Sequence, residues 1–413
     1  MFWAKNRLYA AVTMALIVML SSAGCSLPDL PEGEAAPVEE LDERLIESNN
    51  GFGFTLFKKL HQEDKGRNLL ISPSSILTAL AMASTGAEGE TRTAMEKTMF
   101  LTGMSREEIN KAFADLLTIL QNPDPEVELV VANSLWTRKG LELNETFIKQ
   151  NHDFYDAEIT DLDFSNSDAA GVINDWVREK TNQKIDGIVE PPINPETILF
   201  LINALYFKGA WAEEFDPDQT REIPFKLPDG TTKEHPVMFK NGELEYLEND
   251  LFQAVRLPYG KNERIAMTLF LPAGDLTLEQ ILSELDKKSW DRWNEAFDSM
   301  EGELGLPRFS FACELSLNKV LSDLGMEIAF DENAADFSGM RPIPPRLFIS
   351  KVKHKTYIDV TEEGTEAAAV TSVEVEVTAM PEQFSMIIDR PFFFTISDEM
   401  TGTILFMGTV FEP

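Results

Sequence analysis

Histidine and cysteine supply much of the nucleophilic and metal chemistry of proteins, and this chain of 413 residues has four of the first and two of the second. The histidines, His61, His152, His235 and His354, have no second ligand-type residue at a metal-binding spacing. The signatures G-x-S-x-G, H-E-x-x-H, G-x-x-x-x-G-K-[ST] and C-x-x-C do not occur. We therefore expect no catalytic residue, no metal and no cofactor, and a protein that is not an enzyme.

Residues 361–381, "TEEGTEAAAVTSVEVEVTAMP", form the segment with the most unusual spacing. After a glycine and several alanines they alternate valine and glutamate with the period of two of a half-buried strand. In an extended chain one face is uncharged and small or β-branched: Thr365, Ala367, Ala369, Thr371, Val373, Val375 and Val377. The other face carries Glu366, Ala368, Val370, Ser372, Glu374, Glu376 and Thr378. The first face is suited to burial in a sheet, yet further strand-like runs follow and leave it no obvious place.

The elements that must position this segment change character along the chain. Helical patterns dominate the first third, as in "RLIESNNGFGFTLFKKLHQ", and the serines around Pro73 predict a helix N-terminus. Strand patterns dominate later, in "ELVVANSLWTR", "TILFLINALYFKG", "FQAVRLPYG", "RIAMTLFLP", "LGLPRFSFACELS" and a hairpin around Asp398 to Thr401. Because helices and strands do not alternate strictly, we expect an α+β fold with mostly antiparallel or mixed sheets.

The N-terminus has the pattern of a secretory signal. Lys5 and Arg7 precede an apolar run from Leu8 to Leu20, too short for a typical membrane span, and then "SSAGC". Cys25 makes this resemble the lipobox of bacterial lipoproteins, whose cysteine is acylated, although Ser22 stands where leucine is usual. An ordinary cleaved signal with an incidental Cys25 is the alternative. Residues 1–24 are thus predicted to be a lipoprotein-type signal peptide and 25–41 an acidic, proline-rich tether.

Charge and cysteine content narrow the functional classes. The net charge is −34, and removal of residues 1–24 would bring it to −36. Nucleic acid is therefore an unexpected partner, since phosphate binding requires clustered lysine and arginine. With only Cys25 and Cys313 present, no internal disulfide is expected, and Cys313 in "FSFACELSL" is predicted to be a buried thiol on a strand.

Five segments, in order, resemble the serpin family from about Leu41 to the C-terminus. They are "NLLISPSSILTALAMASTGAEGET", "FLINALYFKGAWAEEF", "LNKVLSDLGMEIAFDENAADFSGM", "VKHKTYIDVTEEGTEAAAVT" and "DRPFFFTISDEMTGTILFMGTVFEP". The resemblance implies one α+β domain over 42–413, with about eight or nine helices, three β-sheets and an exposed reactive-centre loop. It also implies inhibition of proteases by suicide trapping, in which the cleaved loop inserts into the central sheet.

The resemblance also assigns roles to residues. It implies a hinge made of Glu362, Gly364, Thr365, Glu366, Ala367, Ala368 and Ala369, and an inserted face that includes Thr371, Val373, Val375 and Val377. The polar residues between the strands that part, called the shutter, would be Ser72, Ser75, Asn203 and His354. Trp211 would lie where the loop first meets the sheet. Without the resemblance, the serines could simply cap a helix, Asn203 could satisfy buried backbone and Trp211 could belong to the core.

Counting sixteen positions from Glu362, as in most inhibitory serpins, places the scissile bond at Thr378–Ala379, with Val377 and Ala379 as rival positions for the cleaved residue. These residues are small or aliphatic, so an apolar pocket of elastase or subtilisin type would accept them, whereas a trypsin-like pocket would leave its carboxylate unpaired. The expected function is therefore inhibition of such serine proteases through a covalent complex.

Two other functional classes remain to be distinguished. A non-inhibitory serpin acting as a carrier or binding module would be expected to have obstructive residues in the hinge, and "GTEAAAVT" has none. A surface-anchored hydrolase has no motif to support it. We expect a monomer, held by its acyl anchor on the outer face of the cytoplasmic membrane.

Overall fold

The structure is a computed structural model that describes residues 41–121, 123–194, 197–365 and 383–413. The α-helices of this part are α1 (Glu43–Glu63), α2 (Pro73–Ser84), α3 (Gly89–Thr98), α4 (Arg106–Gln121), α5 (Glu145–Tyr155), α6 (Ala169–Lys180), α7 (Leu278–Glu284), α8 (Lys287–Asn294) and α9 (Asn318–Leu321). Nine helices among the described residues agree with the expected eight or nine. None of the helices in these ranges has the length and apolar character needed to cross a bilayer.

The strands are β1 (Leu69–Ile71), β2 (Val127–Arg138), β3 (Glu158–Leu162), β4 (Leu199–Ala210), β5 (Arg221–Lys226), β6 (Thr232–Glu248), β7 (Phe252–Tyr259), β8 (Ile265–Pro272), β9 (Asp298–Pro307), β10 (Phe309–Ser316), β11 (Lys351–Val360), β12 (Gly364–Thr365), β13 (Phe384–Ile387), β14 (Phe392–Asp398) and β15 (Thr403–Val410). The hairpin predicted around Asp398 is formed by β14 and β15. The strand pattern predicted in "LGLPRFSFACELS" corresponds to two strands, because the chain passes there from β9 into β10 of a different sheet.

Local sequence signals explain where the early helices begin. The Asp42 carboxylate accepts the backbone N–H of Arg44 at 2.9 Å and caps α1. Ser72 caps α2, with its hydroxyl accepting the N–H of Ser75 at 3.3 Å and proline at the first helical position. The predicted helix N-terminus at Pro73 is confirmed, and every residue of α2 is buried.

Two sheets organise the described residues. The central sheet has the order β10-β11-β4-β2-β3, with β12 paired to β4. The second sheet has the order β1-β15-β14-β8-β7-β6-β9-β13, with β5 paired to β6. The expectation of three sheets is therefore not met among these residues, because the 17-residue β6 runs without interruption from its pairing with β5 and β9 to its pairing with β7.

Both faces of β4 are buried, but in different clusters. Its residues Leu199, Leu201, Leu205 and Phe207 belong to the main core, which lies between the two sheets and includes α2. Residues on its opposite face form an outer cluster with α6 and the segment that follows this helix: Ala132, Trp136, Phe164, Ala169, Ala170, Ile173, Trp176, Val177, Ile185, Ile188, Val189, Ile193, Phe200, Ile202 and Ala204. Strand β4 therefore carries the apolar content of a fully buried strand.

Candidate functional site

The central sheet contains a contact that is only partly formed. Strands β4 and β11 pair in parallel from Lys351–Phe200 to Thr356–Leu205, and we call this contact the seam. Beyond Thr356 the described pairing of the two strands stops, although both strands continue. The upper part of β4 instead pairs with the two residues of β12, which runs antiparallel to it.

Two residues of the predicted hinge occupy this position. Gly364 pairs with Ala210 and has φ of +138°, a conformation that strongly favours glycine. A Cβ at Gly364 would lie 2.2 Å from the carbonyl oxygen of Gly209, so the backbones approach too closely for any side chain. Thr365 pairs with Gly209 and is 1% exposed. Two residues of the predicted hinge, Gly364 and Thr365, thus already lie inside the sheet.

Trp211 and Tyr259 form the floor beneath these residues. Their rings stack with centroids 4.3 Å apart, and the indole N–H of Trp211 donates to the carbonyl of Thr361 at 3.0 Å. The Tyr259 and Thr365 hydroxyls are hydrogen-bonded at 2.9 Å. Burial raises the pKa of Tyr259, so its phenol is neutral. Trp211 therefore lies where the chain turns from β11 into β12.

Glu362 anchors the same turn through its carboxylate. The carboxylate accepts the guanidinium Nε–H of Arg308 at 2.8 Å, a second Arg308 N–H and the hydroxyl of Thr220. Burial opposes ionisation, but the hydrogen bonds from Arg308 and Thr220 hold the pKa of Glu362 below its usual value. Glu362 is thus tied to the residue just before β5, Thr220, and to the link between β9 and β10, Arg308.

The four shutter residues converge beneath the seam. His354 on β11 accepts the backbone N–H of Ser72 at Nε2, at 3.1 Å, so its proton resides on Nδ1 and is donated to the Asn203 side-chain oxygen at 2.7 Å. Asn203 on β4 donates in turn to the carbonyl and hydroxyl oxygens of Ser75. Burial lowers the pKa of His354 to about 3, which keeps the ring neutral. These bonds connect the two strands of the seam to the start of α2.

Several residues of this site had no signal in the sequence. Asn133 on β2 accepts a 2.8 Å hydrogen bond from Asn203, and Arg308, Thr220 and Tyr259 hold the hinge. They come from distant segments, and each is an ordinary residue in its own stretch. The tertiary fold brings them together.

Other predicted residues are placed as follows. Cys313 is a free, buried thiol on β10. Within the described ranges no group of three or more His, Cys, Asp or Glu side chains could hold a metal ion. The remaining predicted positions, Cys25, Glu366, Ala367, Ala368, Ala369, Thr371, Val373, Val375, Val377, Thr378 and Ala379, lie outside the described residues.

Comparison with known proteins gives a consistent result. Residues 47–413 match the family described as serpin (serine protease inhibitor). A serpin-like protein of Methanosarcina acetivorans is 35% identical over 382 residues, covering 91% of this chain and 87% of its own. The thermophilic serpin Tengpin in its native state superposes with a TM-score of 0.84 at 32% identity, covering 92% of this chain and 97% of its own. Human thyroxine-binding globulin superposes with a TM-score of 0.82 at 30% identity, covering 90% and 99%.

Proposed function

This chain is a member of the serpin family, whose members are generally protease inhibitors, and from that premise we propose that it traps serine proteases of elastase or subtilisin type. The observation that carries the proposal is the pairing of Gly364 and Thr365 with the upper end of β4. Strand β12 has begun to form beside β4, and the pairing of β4 with β11 stops below it. Lengthening β12 between β4 and β11 requires that the loop be released from its C-terminal attachment. Cleavage of the loop would release it in this way.

The register of β12 defines where such growth would lead. Continued without a bulge, the pairing of Thr365 with Gly209 brings Thr371 opposite Asn203. The bridge between Thr361 and Gly364 on the β11 side, continued in the same way, brings Thr371 opposite His354. Both sides give the same answer because His354 and Asn203 are themselves register partners. Thr371 would therefore replace the hydrogen bond that closes the seam, and its hydroxyl could bond either partner.

The valines would then enter the main core. In this register Val373 lies between Leu201 and Val352, both of which are buried, and Val375 pairs with Leu199. Each valine contributes up to about 1.5–3 kcal/mol on full burial. The parallel seam would also be replaced by two antiparallel ladders, which are slightly more stable per residue. The inserted form would thus be the more stable one, and the uncleaved form is held by kinetics.

The glutamates of the segment would meet the opposite face. Glu374 is brought between Phe200 and Lys351, whose ammonium group lies 5.9 Å from the Phe200 ring centre. An inserted Glu374 would therefore form an ion pair with Lys351, whose ammonium group already lies over the sheet. In this register the valines face the main core and Glu374 lies beside Lys351.

The chemical step belongs to the protease. Its serine hydroxyl attacks the carbonyl of Thr378, the Thr378–Ala379 bond breaks, and the amine of Ala379 leaves with the C-terminal peptide. The acyl-enzyme ester stays attached to the hinge side, and insertion carries it along the sheet before water can hydrolyse it. Val377 and Ala379 are the rival positions for the cleaved residue. Small or aliphatic residues here favour a shallow apolar pocket over one with a buried carboxylate.

An incubation with a panel of proteases tests this proposal. Pancreatic elastase and subtilisin should form complexes that resist SDS, whereas trypsin should not, and the mass of the released peptide identifies the bond. Cleavage by elastases, subtilisins and chymotrypsins without any stable complex would refute inhibition. If cleavage also fails to raise the melting temperature, the chain acts as a carrier or binding module, the alternative that similarity to thyroxine-binding globulin supports.

We further propose that Cys25 is acylated after removal of residues 1–24 and anchors a monomeric inhibitor to the outer face of the cytoplasmic membrane. The support is the basic start, the short apolar run and the small residues before Cys25. An acidic tether between anchor and domain would extend by self-repulsion and hold the inhibitor away from the lipid surface.

A further inference from the structure

Phe100, just after α3, combines an exposed ring with an unfavourable backbone conformation. It has the most exposed aromatic side chain of the described residues, at 51%. Its φ of +60° lies in the left-handed region, which a bulky residue rarely adopts. One exposed apolar residue is ordinary on a protein surface. The conformation is not, because it costs stability that a half-exposed ring does not recover by burial.

The hydrogen bonds around Phe100 show what this position requires. The N–H of Leu101 donates to the carbonyl of Glu96 at 2.8 Å, and the N–H of Phe100 donates to that of Lys97 at 3.2 Å. This pattern ends many helices with one left-handed residue, and glycine is the usual choice there. Leu101, which is fully buried, supplies the apolar residue that accompanies the motif. The helix end therefore requires the conformation of residue 100 but not an aromatic ring.

Phe100 lies beside the first turns of α1, where the chain enters the domain. The hydroxyl of Ser48 donates to the Phe100 carbonyl at 2.7 Å, and a Cβ at Gly51 would lie 3.6 Å from the ring. The 16 residues 25–40 separate the proposed anchor from the domain and span at most about 55 Å. This length is close to the diameter of a globular domain of this size. An anchored domain would therefore stay near the lipid surface.

Contacts of α3 place Phe100 toward the end of the central sheet that is far from the hinge. The Thr98 hydroxyl donates to the carbonyl of Leu324, just after α9, at 3.2 Å. Within α9, the Asn318 amide donates to the carbonyl of Ser350 at 2.9 Å, next to the start of β11. The hinge follows the other end of this ten-residue strand, about 33 Å away. A domain that rests on Phe100 would thus direct its hinge away from the surface beneath it.

Charges on α1 next to Phe100 have partners of opposite sign. Arg44 pairs with Asp42 at 2.6 Å and with Glu108 at 3.0 Å, and Glu47 pairs with Lys287 at 3.5 Å. The tether has no basic residue and carries five acids: Asp29, Glu32, Glu34, Glu39 and Glu40. The acidic domain would repel both this tether and a second copy of itself, whereas a zwitterionic lipid surface would not be repelled in this way. Charge therefore favours lipid as the partner of the ring.

We propose that Phe100 is a lipid contact that orients the tethered domain, with its ring inserted into the surface of the membrane that holds the acyl anchor. The inference rests on the proposed function for the anchor at Cys25. Anchoring makes the contact intramolecular, so a single aromatic side chain can hold it. Burial of the exposed half of the ring should favour the contact about three- to tenfold. A contact of this size can also break when a trapped protease is carried to this end of the sheet.

The first experiment couples residues 25–413 through the Cys25 thiol to a maleimide lipid in phosphatidylcholine vesicles, with or without brominated acyl chains. Cys313 is buried, so Cys25 is the thiol that reacts. Phe100→Trp places a fluorophore in the contact. Val172→Trp is the control, because Val172 is 45% exposed on α6, which packs on the outer face of the central sheet.

Brominated lipid should quench the emission added by the new tryptophan about three- to tenfold more in Phe100→Trp than in Val172→Trp. The wild type provides the emission of the other tryptophans, which both variants share. Equal quenching of the two variants would overturn the lipid contact.

Phe100→Gly separates the lipid contact from a structural role. In the unanchored Cys25→Ala chain, this change should move denaturant unfolding to higher concentration, because glycine adopts the left-handed conformation without strain. On vesicles, coupling should slow hydrogen exchange at residues 101–105 of the wild type about three- to tenfold, and Phe100→Gly should lose this protection. Lower stability of Phe100→Gly would assign the ring to packing on Gly51 and overturn the inference.

Other occupants of this surface would give different results. A dimer of the Cys25→Ala chain that Phe100→Gly abolishes would assign the ring to a second copy. Protection of residues 101–105 in the free chain that is lost on deletion of residues 26–40 would assign it to the tether. Either result would overturn the lipid contact. If fatty-acid labelling shows no acylation of Cys25, the proposed anchor fails, but the coupled chain still decides whether Phe100 meets lipid, so the two failures are distinguishable.

Discussion

The hydroxyl of Thr365 lies 2.9 Å from that of Tyr259, in a position closed to solvent. The first side chain of the uncharged face, Thr365, therefore has a protein partner in place of water in the uncleaved chain. Under the proposed mechanism, the chain would not have to nucleate a new strand after the protease has attacked. It would only have to extend β12, and the competing hydrolysis of the acyl-enzyme would set the time available.

A first prediction concerns Thr365→Arg. Arginine here would bring an unpaired charge into the buried position beside Tyr259, at a cost of several kcal/mol, so insertion should become slower than deacylation. The fraction of protease recovered as SDS-stable complex should fall at least about tenfold while cleavage of the loop continues. Thr365→Ser keeps the hydroxyl and should remain an inhibitor. Unchanged complex formation in the arginine variant would mean that Thr365 does not face inward during insertion.

The anchor at Glu362 gives a second prediction. Glu362→Gln weakens the bonds from Arg308 and Thr220 and should lower the stability of uncleaved protein by about 1 kcal/mol, a modest value because Arg308 is 45% exposed. Since these bonds lower the pKa of Glu362, the advantage of the wild type should be present above the usual pKa of 4.5 and be lost as pH falls below it. Denaturant unfolding at several pH values measures both effects. Glu303→Gln, which alters the looser pair with Arg221, is the control.

His354 gives a third prediction, on pH. The pKa of His354 is lowered from 6.5 to about 3 in the folded protein. Between pH 6.5 and about pH 3, the imidazole is therefore protonated in the unfolded chain but neutral in the folded protein. Stability should therefore fall with decreasing pH in that window, by up to about 1.4 kcal/mol per unit. Unfolding between about pH 7.5 and about pH 5.5 should have a smaller slope in His354→Gln than in the wild type. Burial also lowers the pKa of His61, so this histidine contributes to the pH dependence of stability as well. The variant His61→Gln measures that contribution separately.

The proposed register gives a fourth prediction. A double-mutant cycle of Glu374→Gln and Lys351→Gln should yield a coupling of about 0.5–1 kcal/mol in the cleaved form and almost none in the uncleaved form. The measurement is the stability of each form, before and after nicking of the loop. Coupling of Glu374 to Lys353 instead would mean that the inserted strand is shifted by two residues. Equal coupling in both forms would exclude a contact created by insertion.

The proposed anchor gives a fifth prediction. Cys25→Ala should move the protein from the membrane fraction to the soluble one, because the acyl chains are lost with the thiol. The domain itself should inhibit unchanged, since residues 42–413 are untouched. Metabolic labelling with a fatty acid measures the modification directly. An unlabelled wild type would favour the ordinary cleaved signal.

The sequence reveals those parts of the site that depend on local pattern. The glycine at 364 and the small residues after it indicate a chain that must fit closely, and the structure gives Gly364 a conformation and a contact that admit no side chain. The serine caps of α2 are equally local. The resemblance to serpins named the shutter residues, and their convergence depends on that fold.

What the sequence does not reveal depends on distant partners or on solvent. Strand β6 has no clear strand pattern because much of its length is exposed, and its neighbours in the sheet supply the hydrogen bonds that hold it extended. Arg308 could pair with any carboxylate until the fold places Glu362 beside it. Such contacts become predictable only after the topology is known.

The incomplete pairing of β4 with β11 also affects how the protein should be handled. If the uncleaved molecule rests above a deeper minimum, a melting curve recorded on it measures how fast a barrier is crossed, and the apparent midpoint will shift with the heating rate. The half-life of the uncleaved form at a given temperature then describes its stability better than a midpoint does. Moderate warming will convert part of a sample to the more stable form before unfolding is detected. The fraction of active protein in a sample would then depend on how long it is kept as well as on the temperature.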